Sequence, residues 1–402
     1  MTASPDTQSG TSGYKWYVLI LAALSNTTVV GIPMMSLPVL FDEIARELGL
    51  NLVEIGWIWG IGFLTGIVTS LIGGALGDRF GAKRTLMVGC FLAGITGALR
   101  GLSSDFVTLA AAAFLFGLMP PVIPMNVHKT CGVWFPGRHL GLANGVVAAG
   151  MALGFMLGSL LSATVLSPWL GGWRQVLFVY GALSMVVGIF WSFTRAVPTV
   201  VTSPLRKEKV PLSHGLPYVA RMRNVWLLGL TMFGIGGCIQ GALGYLPLYL
   251  RGIGWPETFA DVALAAFHGV SLMAAIPIAL LSDRLGSRKG VLIVATLMIF
   301  TGVALLSLPG GIFVWAAVII AGFARDGFMA ILMTQIIELK GVGTMYAGTA
   351  MGMVLVFSRL GSLISPPLGN SLADSHLALP FVFWAVLALV GLLFLYFVKE
   401  AG

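Results

Sequence analysis

The sequence predicts an all-α membrane protein with twelve transmembrane helices arranged as two pseudo-symmetric six-helix bundles. Of its 402 residues, 57% are apolar and only 9% are charged, whereas a soluble protein carries about 25% charged residues. The apolar stretches 291–308 and 382–398 do not alternate with polar residues, which favours lipid-embedded helices over barrel strands. A charged motif recurs about half a chain length later, and such a repeat predicts two related halves.

Charged or Gly/Pro-rich breaks divide the chain into twelve apolar spans, each near the length of about 20 residues that a helix needs to cross a bilayer. Spans 1 to 6 are predicted at 16–40, 54–77, 85–102, 106–134, 139–166 and 174–195. Spans 7 to 12 are predicted at 224–250, 258–281, 289–308, 311–337, 343–372 and 377–398. Pro120, Pro121 and Pro124 are expected to bend span 4. In span 5, glycines at 150, 154 and 158 share one helix face and predict a close helix contact.

These spans predict four segments: an N-terminal tail at 1–15, a first bundle at 16–195, a cytoplasmic linker at 196–223 and a second bundle at 224–402. The tail is polar and has no apolar h-region, so we expect span 1 to act as the insertion signal without a cleavable peptide. Cys90, Cys131 and Cys238 show no metal-ligand spacing, and we interpret them as small packing residues.

The basic residues predict a multi-pass protein of the cell (inner) membrane with both termini in the cytoplasm, because Lys and Arg collect on cytoplasmic loops. In this orientation four bases lie outside: Arg46, Arg100, Arg174 and Arg251. Sixteen lie inside: Lys15, Arg79, Lys83, Arg84, Arg138, Arg195, Arg206, Lys207, Lys209, Arg221, Arg223, Arg284, Arg288, Lys289, Lys340 and Lys399. The net charge of +8 is spread between apolar segments and forms no single patch. Nucleic acid is therefore not expected as a partner.

Two loops carry the repeated motif. After span 2 the chain reads Gly-Ala-Leu-Gly-Asp78-Arg79-Phe-Gly81-Ala-Lys83-Arg84, and after span 8 it reads Leu-Ser-Asp283-Arg284-Leu-Gly286-Ser-Arg288-Lys289. The first copy resembles the signature of the major facilitator superfamily, and the second resembles the weaker echo of that signature. The resemblance covers the whole chain and implies secondary transport by alternating access around a site near the bilayer midplane.

The same resemblance implies a gate on the cytoplasmic side formed by Asp78, Arg79, Gly81, Lys83, Arg84, Asp283 and Arg284. Asp78 is expected to meet the start of span 11 near Gly343, where the positive end of a helix attracts a carboxylate. Asp283 is expected to meet the start of span 5 near Arg138. The alternative is a charge cluster that serves only membrane topology.

Charges inside the spans are functional candidates, because a charge at bilayer depth costs about 2.5–3.5 kcal/mol on insertion scales. Arg325 and Asp326 fall near the middle of span 10, Arg359 near the middle of span 11, and Lys129 in span 4. Only Asp326 is placed deeply among the acids, so the cavity is expected to be positive and to favour an anion. The alternatives are an ion pair of Asp326 with one arginine that only fixes packing, and a snorkelling Lys129.

Further contacts to the substrate are expected from Asn26, Tyr245, Gln240 and Gln335, although each is also typical of an interhelical hydrogen bond. Asp326 and His268 are the candidates for proton coupling. For His268 a packing role is the more common alternative.

The sequence thus predicts a secondary active transporter of a small anionic solute, with a monocarboxylate-like organic anion favoured and with proton coupling. Trp134-Phe135-Pro136-Gly137-Arg138 before span 5 resembles oxalate/formate, monocarboxylate, nitrate or cyanate carriers. An exporter of hydrophobic or cationic compounds and a non-transporting membrane sensor are the alternatives. No nucleophile elbow, phosphate loop or metal-ligand spacing occurs, so we expect no enzyme activity, catalytic residues, cofactor or metal. The expected partners are the small anion, protons and the lipid bilayer, without an obligate protein partner.

Overall fold

A computed structural model describes residues 6–135, 139–195, 212–285 and 287–399. Inside these ranges, the description leaves out the side chains of residues 6–12, 68, 70–75, 78, 212–214, 276, 279–280, 283, 285 and 344. The described chain is helical, and eleven of its helical segments are long and apolar enough to cross a membrane. A further helix, α3 (Leu52–Phe80), has 29 residues, and its segment Leu52–Ile67 is also apolar. The predicted all-α membrane fold is confirmed.

The first bundle contains spans 1 to 6. Span 1 comprises α1 (Asp6–Leu24), a π-helical segment (Ser25–Gly31) and α2 (Ile32–Leu48), span 2 is α3, and span 3 is α4 (Ala82–Leu99) with a 3₁₀ turn (Arg100–Leu102). Span 4 comprises α5 (Phe106–Gly117) and α6 (Val122–Trp134), span 5 comprises α7 (Leu140–Leu161), a π-helical segment (Ser162–Leu166) and α8 (Ser167–Leu170), and span 6 is α9 (Trp173–Phe193).

The second bundle contains spans 7 to 12 and follows a short helix, α10 (Leu212–Ala220), in the predicted linker. Spans 7 to 10 are α11 (Arg223–Gly252), α12 (Glu257–Leu285), α13 (Arg288–Leu305) and α14 (Gly311–Glu338). Span 11 is α15 (Gly343–Asn370) with a 3₁₀ turn (Ser371–Asp374), and span 12 is α16 (Leu379–Tyr396). Residues 196–211 of the linker lie outside the described residues.

Span 1 is longer than predicted at both ends. The charged residues after position 40 continue the helix to Leu48 because tertiary contacts hold them. Glu47 accepts hydrogen bonds from Trp173 Nε1 at 2.6 Å and from Arg174 Nε at 2.9 Å. Glu43 accepts one from Ser167 Oγ at 2.6 Å. These acids therefore tie the end of span 1 to spans 5 and 6.

Span 4 is broken where its prolines predicted a bend. Helix α5 ends at Gly117 and α6 begins at Val122, with Pro120 and Pro121 between them. A proline lacks the N–H that would continue the helix, and its ring clashes with the carbonyl one turn earlier. The break places Pro120, Pro121 and Pro124 on the wall of a central cavity.

The glycines of span 5 form the close helix contact that their spacing predicted. A Cβ atom at Gly154 would lie 2.5 Å from the carbonyl oxygen of Thr27 in span 1, and Gly150 and Gly158 leave similar gaps of 2.8 and 2.6 Å to span 1 backbone atoms. Thr27 Oγ1 donates to the Gly150 carbonyl at 2.7 Å. Small residues and hydrogen bonds of this kind replace the hydrophobic force that lipid removes.

The two bundles touch at one side of the protein, which we call the far side because span 1 begins at the other, terminal side. Four polar contacts between described residues join the bundles in this half: Trp59 Nε1 to Gln240 O (2.8 Å), Thr164 Oγ1 to Asp261 Oδ2 (2.7 Å), Asn370 Nδ2 to Leu52 O (2.7 Å), and Arg46 to Glu257 (3.9 Å).

Glycines in span 2 bring the far-side backbones into direct contact. A Cβ atom at Gly56 would lie 2.6 Å from Pro367 Cα, and one at Gly60 would lie 2.5 Å from the Leu363 carbonyl oxygen. Side chains cannot fit between the two helices at this separation. The structure is therefore closed on the far side.

A positively charged cavity between the bundles

A cavity of about 460 Å³ lies between the bundles, bounded toward the far side by Trp59 and Gln240. Spans 1, 2 and 4 supply most of its wall, and spans 3, 5, 7 and 11 contribute one or two residues each. Its size is within the range of about 300–1,000 Å³ that is usual for small-molecule sites. The lining is mainly aliphatic and aromatic, and the charged residues of its described part are Arg100 and Arg359.

Arg359 brings a positive charge to the cavity from the middle of α15. Its Cζ lies 5.7 Å from the centre of the Phe63 ring. The guanidinium also lies 3.3 Å from the position that a Cβ on Gly66 would occupy, so a larger residue at position 66 would require the guanidinium to shift by a few tenths of an ångström. Among the described residues, no acid or hydrogen-bond acceptor pairs with the Arg359 side chain. Its charge is therefore available to a ligand.

Arg100 is a cavity residue that the sequence analysis misplaced. It was predicted to be an outside loop base, but it is only 1% exposed. A side chain on a helix points back toward the start of that helix, and Arg100 accordingly reaches from the end of span 3 into the bundle. Its Nε donates to Gly97 O and its Nη1 to Pro33 O, both at 3.2 Å, while its buried Nη2 has no partner in the described part of the chain. Its Cζ lies 4.0 Å from the centre of the Phe116 ring.

Arg325 and Asp326 form an ion pair in span 10. The Nη1 to Oδ1 distance is 3.3 Å, and the Arg325 guanidinium lies 5.5 Å from the centre of the Phe155 ring, which lines the cavity. Of the arginines that the sequence offered as partners for Asp326, it is the neighbour Arg325 that forms the ion pair. Because it does not include Arg359, it leaves the charge of that arginine uncompensated.

Asp261 is a buried acid that the sequence analysis overlooked when it placed only Asp326 deeply. Asp261 lies in span 8 with no exposed surface. Its Oδ1 accepts a bond from Arg251 Nη2 at 2.6 Å, and its Oδ2 accepts the bond from Thr164 that joins the two bundles. Arg251, predicted as an outside loop base, instead lies in the last turn of α11 and is mostly buried. This pair is neutral, so the cavity remains positive.

Of the four predicted polar substrate contacts, Gln240 is the one on the cavity wall, and its buried Oε1 has no partner among the described residues. Asn26 donates to the Val147 carbonyl at 3.3 Å, between spans 1 and 5. The hydroxyl of Tyr245 donates to the Leu377 carbonyl at 3.1 Å inside the second bundle. Gln335 is buried in span 10. These last three side chains do not line the cavity.

Two other predicted residues, His268 and Lys129, do not line the cavity. His268 is 1% exposed and packs against Phe155, with the ring centres 5.3 Å apart. Neither ring nitrogen of His268 has a partner within the described structure. Lys129 lies in α6 close to Gly77 of span 2, outside the cavity lining.

Comparison with known proteins agrees with this architecture. The family model of the Major Facilitator Superfamily matches residues 19–347. The chain belongs to this superfamily. The resemblance drawn from the two charged loops is thereby confirmed.

Superfamily members with related sequences differ in their cargo. A probable nitrate/nitrite antiporter from Thermus thermophilus is 25% identical, over 93% of this chain and 87% of its own length. A tetracenomycin C resistance and export protein from Streptomyces glaucescens is 27% identical, over 89% and 69% of the two chains. A probable sulfoacetate transporter from Cupriavidus necator is 24% identical, over 87% and 86%.

Among solved structures, the fold is similar to that of a bacterial homologue of the human lysosomal transporter Spinster, crystallised in an inward-facing and occupied conformation. The TM-score is 0.78 at 16% identity, and the match covers 96% of this chain and 97% of that one. This likeness concerns the fold.

The first copy of the superfamily signature forms the terminal-side turn between spans 2 and 3, and the second copy follows span 8. Gly81 has a φ of +83°, a conformation that favours glycine, and it separates α3 from α4. Arg79, Arg84 and Arg284 are exposed. The side chains of Asp78 and Asp283, and all of Arg138, lie outside the described part of the chain, so the gate across this side stays a prediction.

Proposed function

We propose that the protein is a secondary active transporter of a small organic anion, with a monocarboxylate as the favoured substrate. The single observation that carries this proposal is the guanidinium of Arg359, which lines the cavity and has no partner among the described residues. A carboxylate would supply the missing negative charge and two acceptor oxygens for the planar guanidinium fork. A hydrogen bond to a charged group contributes about 1.5–3 kcal/mol.

In transport by alternating access, the far-side closure would keep the cavity sealed from one side of the membrane. The prevalence of basic residues on the terminal side favours that side as cytoplasmic, so the far-side closure would lie on the outer face of the membrane. Rocking of the two bundles would then break the far-side contacts and close the terminal side around the substrate. Asp78 and Asp283 are the proposed terminal-side gate, together with the bases that surround them in the two signature loops.

The relatives support an anion more than a cation. Two of them are named as carriers of nitrate/nitrite and of sulfoacetate. The tetracenomycin C export protein keeps an exporter of hydrophobic compounds as the second candidate, and the apolar wall of the cavity favours that candidate too. A cationic cargo would meet Arg100 and Arg359 without an acid in the described lining, and this repulsion opposes it.

Proton coupling is the second part of the proposal, with Asp326 and His268 as the groups that carry it. Protonation of Asp326 would release Arg325 from its ion pair beside Phe155. His268, which like Arg325 belongs to the second bundle, packs against the same Phe155 ring of the first bundle. Proteoliposomes that contain a pH-sensitive dye test this coupling. Substrate entry should acidify the lumen in the wild type and should not do so in an Asp326→Asn, His268→Gln double variant.

A thermal-shift screen of the detergent-purified chain tests the substrate class, since a ligand that binds the folded state raises its melting temperature. Monocarboxylates should stabilise the wild type and lose this effect in Arg359→Gln. The matched control is Arg221→Gln, which removes an exposed arginine from the linker. Stabilisation by organic cations alone, or stabilisation by carboxylates that survives Arg359→Gln, would refute the anion proposal.

A further inference from the structure

The cavity is much larger than a nitrate ion or a two-carbon acid requires. At about 30 Å³ for each water molecule, its 460 Å³ corresponds to about fifteen waters. A small inorganic anion on Arg359 would leave most of this volume unfilled against an apolar wall. A substrate whose apolar atoms pack against that wall would bind more favourably than a small inorganic anion, because burial of apolar surface is the main driving force in such sites.

The wall has the composition of a site for an aromatic body. Trp59, Phe63, Phe116 and Phe155 present rings to the cavity, and Met34 and Met151 add flexible thioethers. Aromatic rings pair favourably with one another in offset or edge-to-face geometry, and methionine sulfur contacts ring edges well. These side chains offer no hydrogen bond that a compact polar solute could use apart from the indole N–H of Trp59, which already donates to Gln240 O.

Arg100 supplies a second polar anchor, and it belongs to the other bundle. Its Nε and Nη1 are held by backbone carbonyls of Gly97 and Pro33, so the guanidinium is fixed in place. The ring of Phe116 lies 4.0 Å from its Cζ and supports it as a cation–π partner. Its Nη2 is buried and has no acceptor among the described residues. A buried donor of this kind is destabilising until a ligand satisfies it.

We infer that the substrate is an aromatic carboxylate that carries a second acceptor group, with its carboxylate on Arg359 and the second group on Arg100 Nη2. This inference rests on the proposed function, because it assigns the carboxylate to Arg359. It adds Arg100 as a specificity-determining residue and the aromatic body as the substrate class. A molecule that contacts both arginines connects the first bundle to the second, so its binding is linked to the movement of the bundles.

Isothermal titration of the purified full chain tests the inference with four probes: nitrate, acetate, 3-phenylpropionate, and 3-phenylpropionate with a second carboxylate at the meta or para ring position. The wild type should bind 3-phenylpropionate more tightly than nitrate or acetate. The better of the two ring carboxylates should add about tenfold to a hundredfold in affinity, the effect of one hydrogen bond between charged groups.

Arg100→Gln separates recognition from structural support. It should abolish the gain from the ring carboxylate and weaken the binding of plain 3-phenylpropionate to a much smaller extent, whereas loss of a residue that only holds the fold would lower both affinities equally. Arg221→Gln is the control and should preserve both affinities. If Arg100→Gln does not fold, Arg100→Lys replaces it. The comparison of the four probes on the wild type decides independently whether an aromatic body and a second acceptor raise the affinity.

Failure of the inference can be told apart from failure of the proposed function. Equal affinities for nitrate, acetate and the aromatic acids, no gain from either ring carboxylate, or an equal loss for both aromatic acids in Arg100→Gln would overturn the inference alone. Arg359→Gln would still weaken every anion in that case. If Arg359→Gln changes no affinity, the anion site itself is wrong and the inference falls with it.

Discussion

The contact between Thr164 and Asp261 predicts how far-side closure can be weakened without altering the cavity. Thr164 belongs to span 5 of the first bundle and Asp261 to span 8 of the second, and the hydroxyl donates to the carboxylate at 2.7 Å. Thr164→Val keeps the shape of the side chain and removes the donor. Asp261 keeps its bond from Arg251, so the substitution removes one bond across the bundles and leaves the ion pair.

The size of the effect follows from the charge on the acceptor. A hydrogen bond to a charged group contributes about 1.5–3 kcal/mol. Because the two residues separate and meet water when the far side opens, this contribution stabilises only the closed state. Each 1.4 kcal/mol is a factor of ten in an equilibrium constant. Thr164→Val should therefore raise the ratio of far-side-open to far-side-closed protein by about tenfold to a hundredfold.

Electron paramagnetic resonance distance measurements can follow this ratio between spin labels at Ser104→Cys and Ser375→Cys. Both positions are exposed on the far side, one on each bundle. The three native cysteines, Cys90, Cys131 and Cys238, are buried, which limits background labelling. The prediction is a larger population at long distance in Thr164→Val than in the parent protein.

Thr96→Val is the matched control, because the hydroxyl of Thr96 donates to carbonyls of its own helix, Leu92 O and Ala93 O. It should leave the distance distribution unchanged. An unchanged distribution in Thr164→Val as well would refute the role of this bond in holding the far side shut.

Two further predictions concern stability. Gly154→Ala should lower the melting temperature, since overpacking costs about 1–3 kcal/mol and the new Cβ would lie 2.5 Å from Thr27 O. The control is Gly141→Ala, which has open space around its Cβ position and should not lower the melting temperature. Equal melting temperatures for the two variants would contradict the close contact. Arg251→Gln should destabilise the protein by about 3–5 kcal/mol in chemical denaturation, because Asp261 is left buried without its ion pair. Adding Asp261→Asn should restore much of that stability. A purely steric effect of residue 251 would give no such rescue.

Features that depend on local spacing could be predicted from the sequence. Gly150, Gly154 and Gly158 repeat every four residues, and that spacing alone places them on one face of a helix. Prolines remove a backbone donor wherever they occur, so the break in span 4 followed from Pro120 and Pro121. The twelve apolar spans followed from length and hydropathy in the same way.

Features that depend on partners distant in sequence could not be predicted. Arg100 ends an apolar run and resembles a loop base until Phe116 and Pro33 are brought against it. The direction of helical side chains was the available signal, since it sends a base at the end of a span back into the bundle. Asp261 looks like a residue near a helix start until the fold pairs it with Arg251.

In the proposed transport cycle, Arg359 holds the negative charge of the carboxylate. Uptake of radiolabelled 3-phenylpropionate into proteoliposomes tests this role most directly, with the wild type, Arg359→Ala and the control Arg221→Ala reconstituted at equal density. Uptake should be saturable in the wild type and in Arg221→Ala, and it should fall to the level of empty liposomes in Arg359→Ala. Uptake by Arg359→Ala at wild-type rate and affinity would contradict this role.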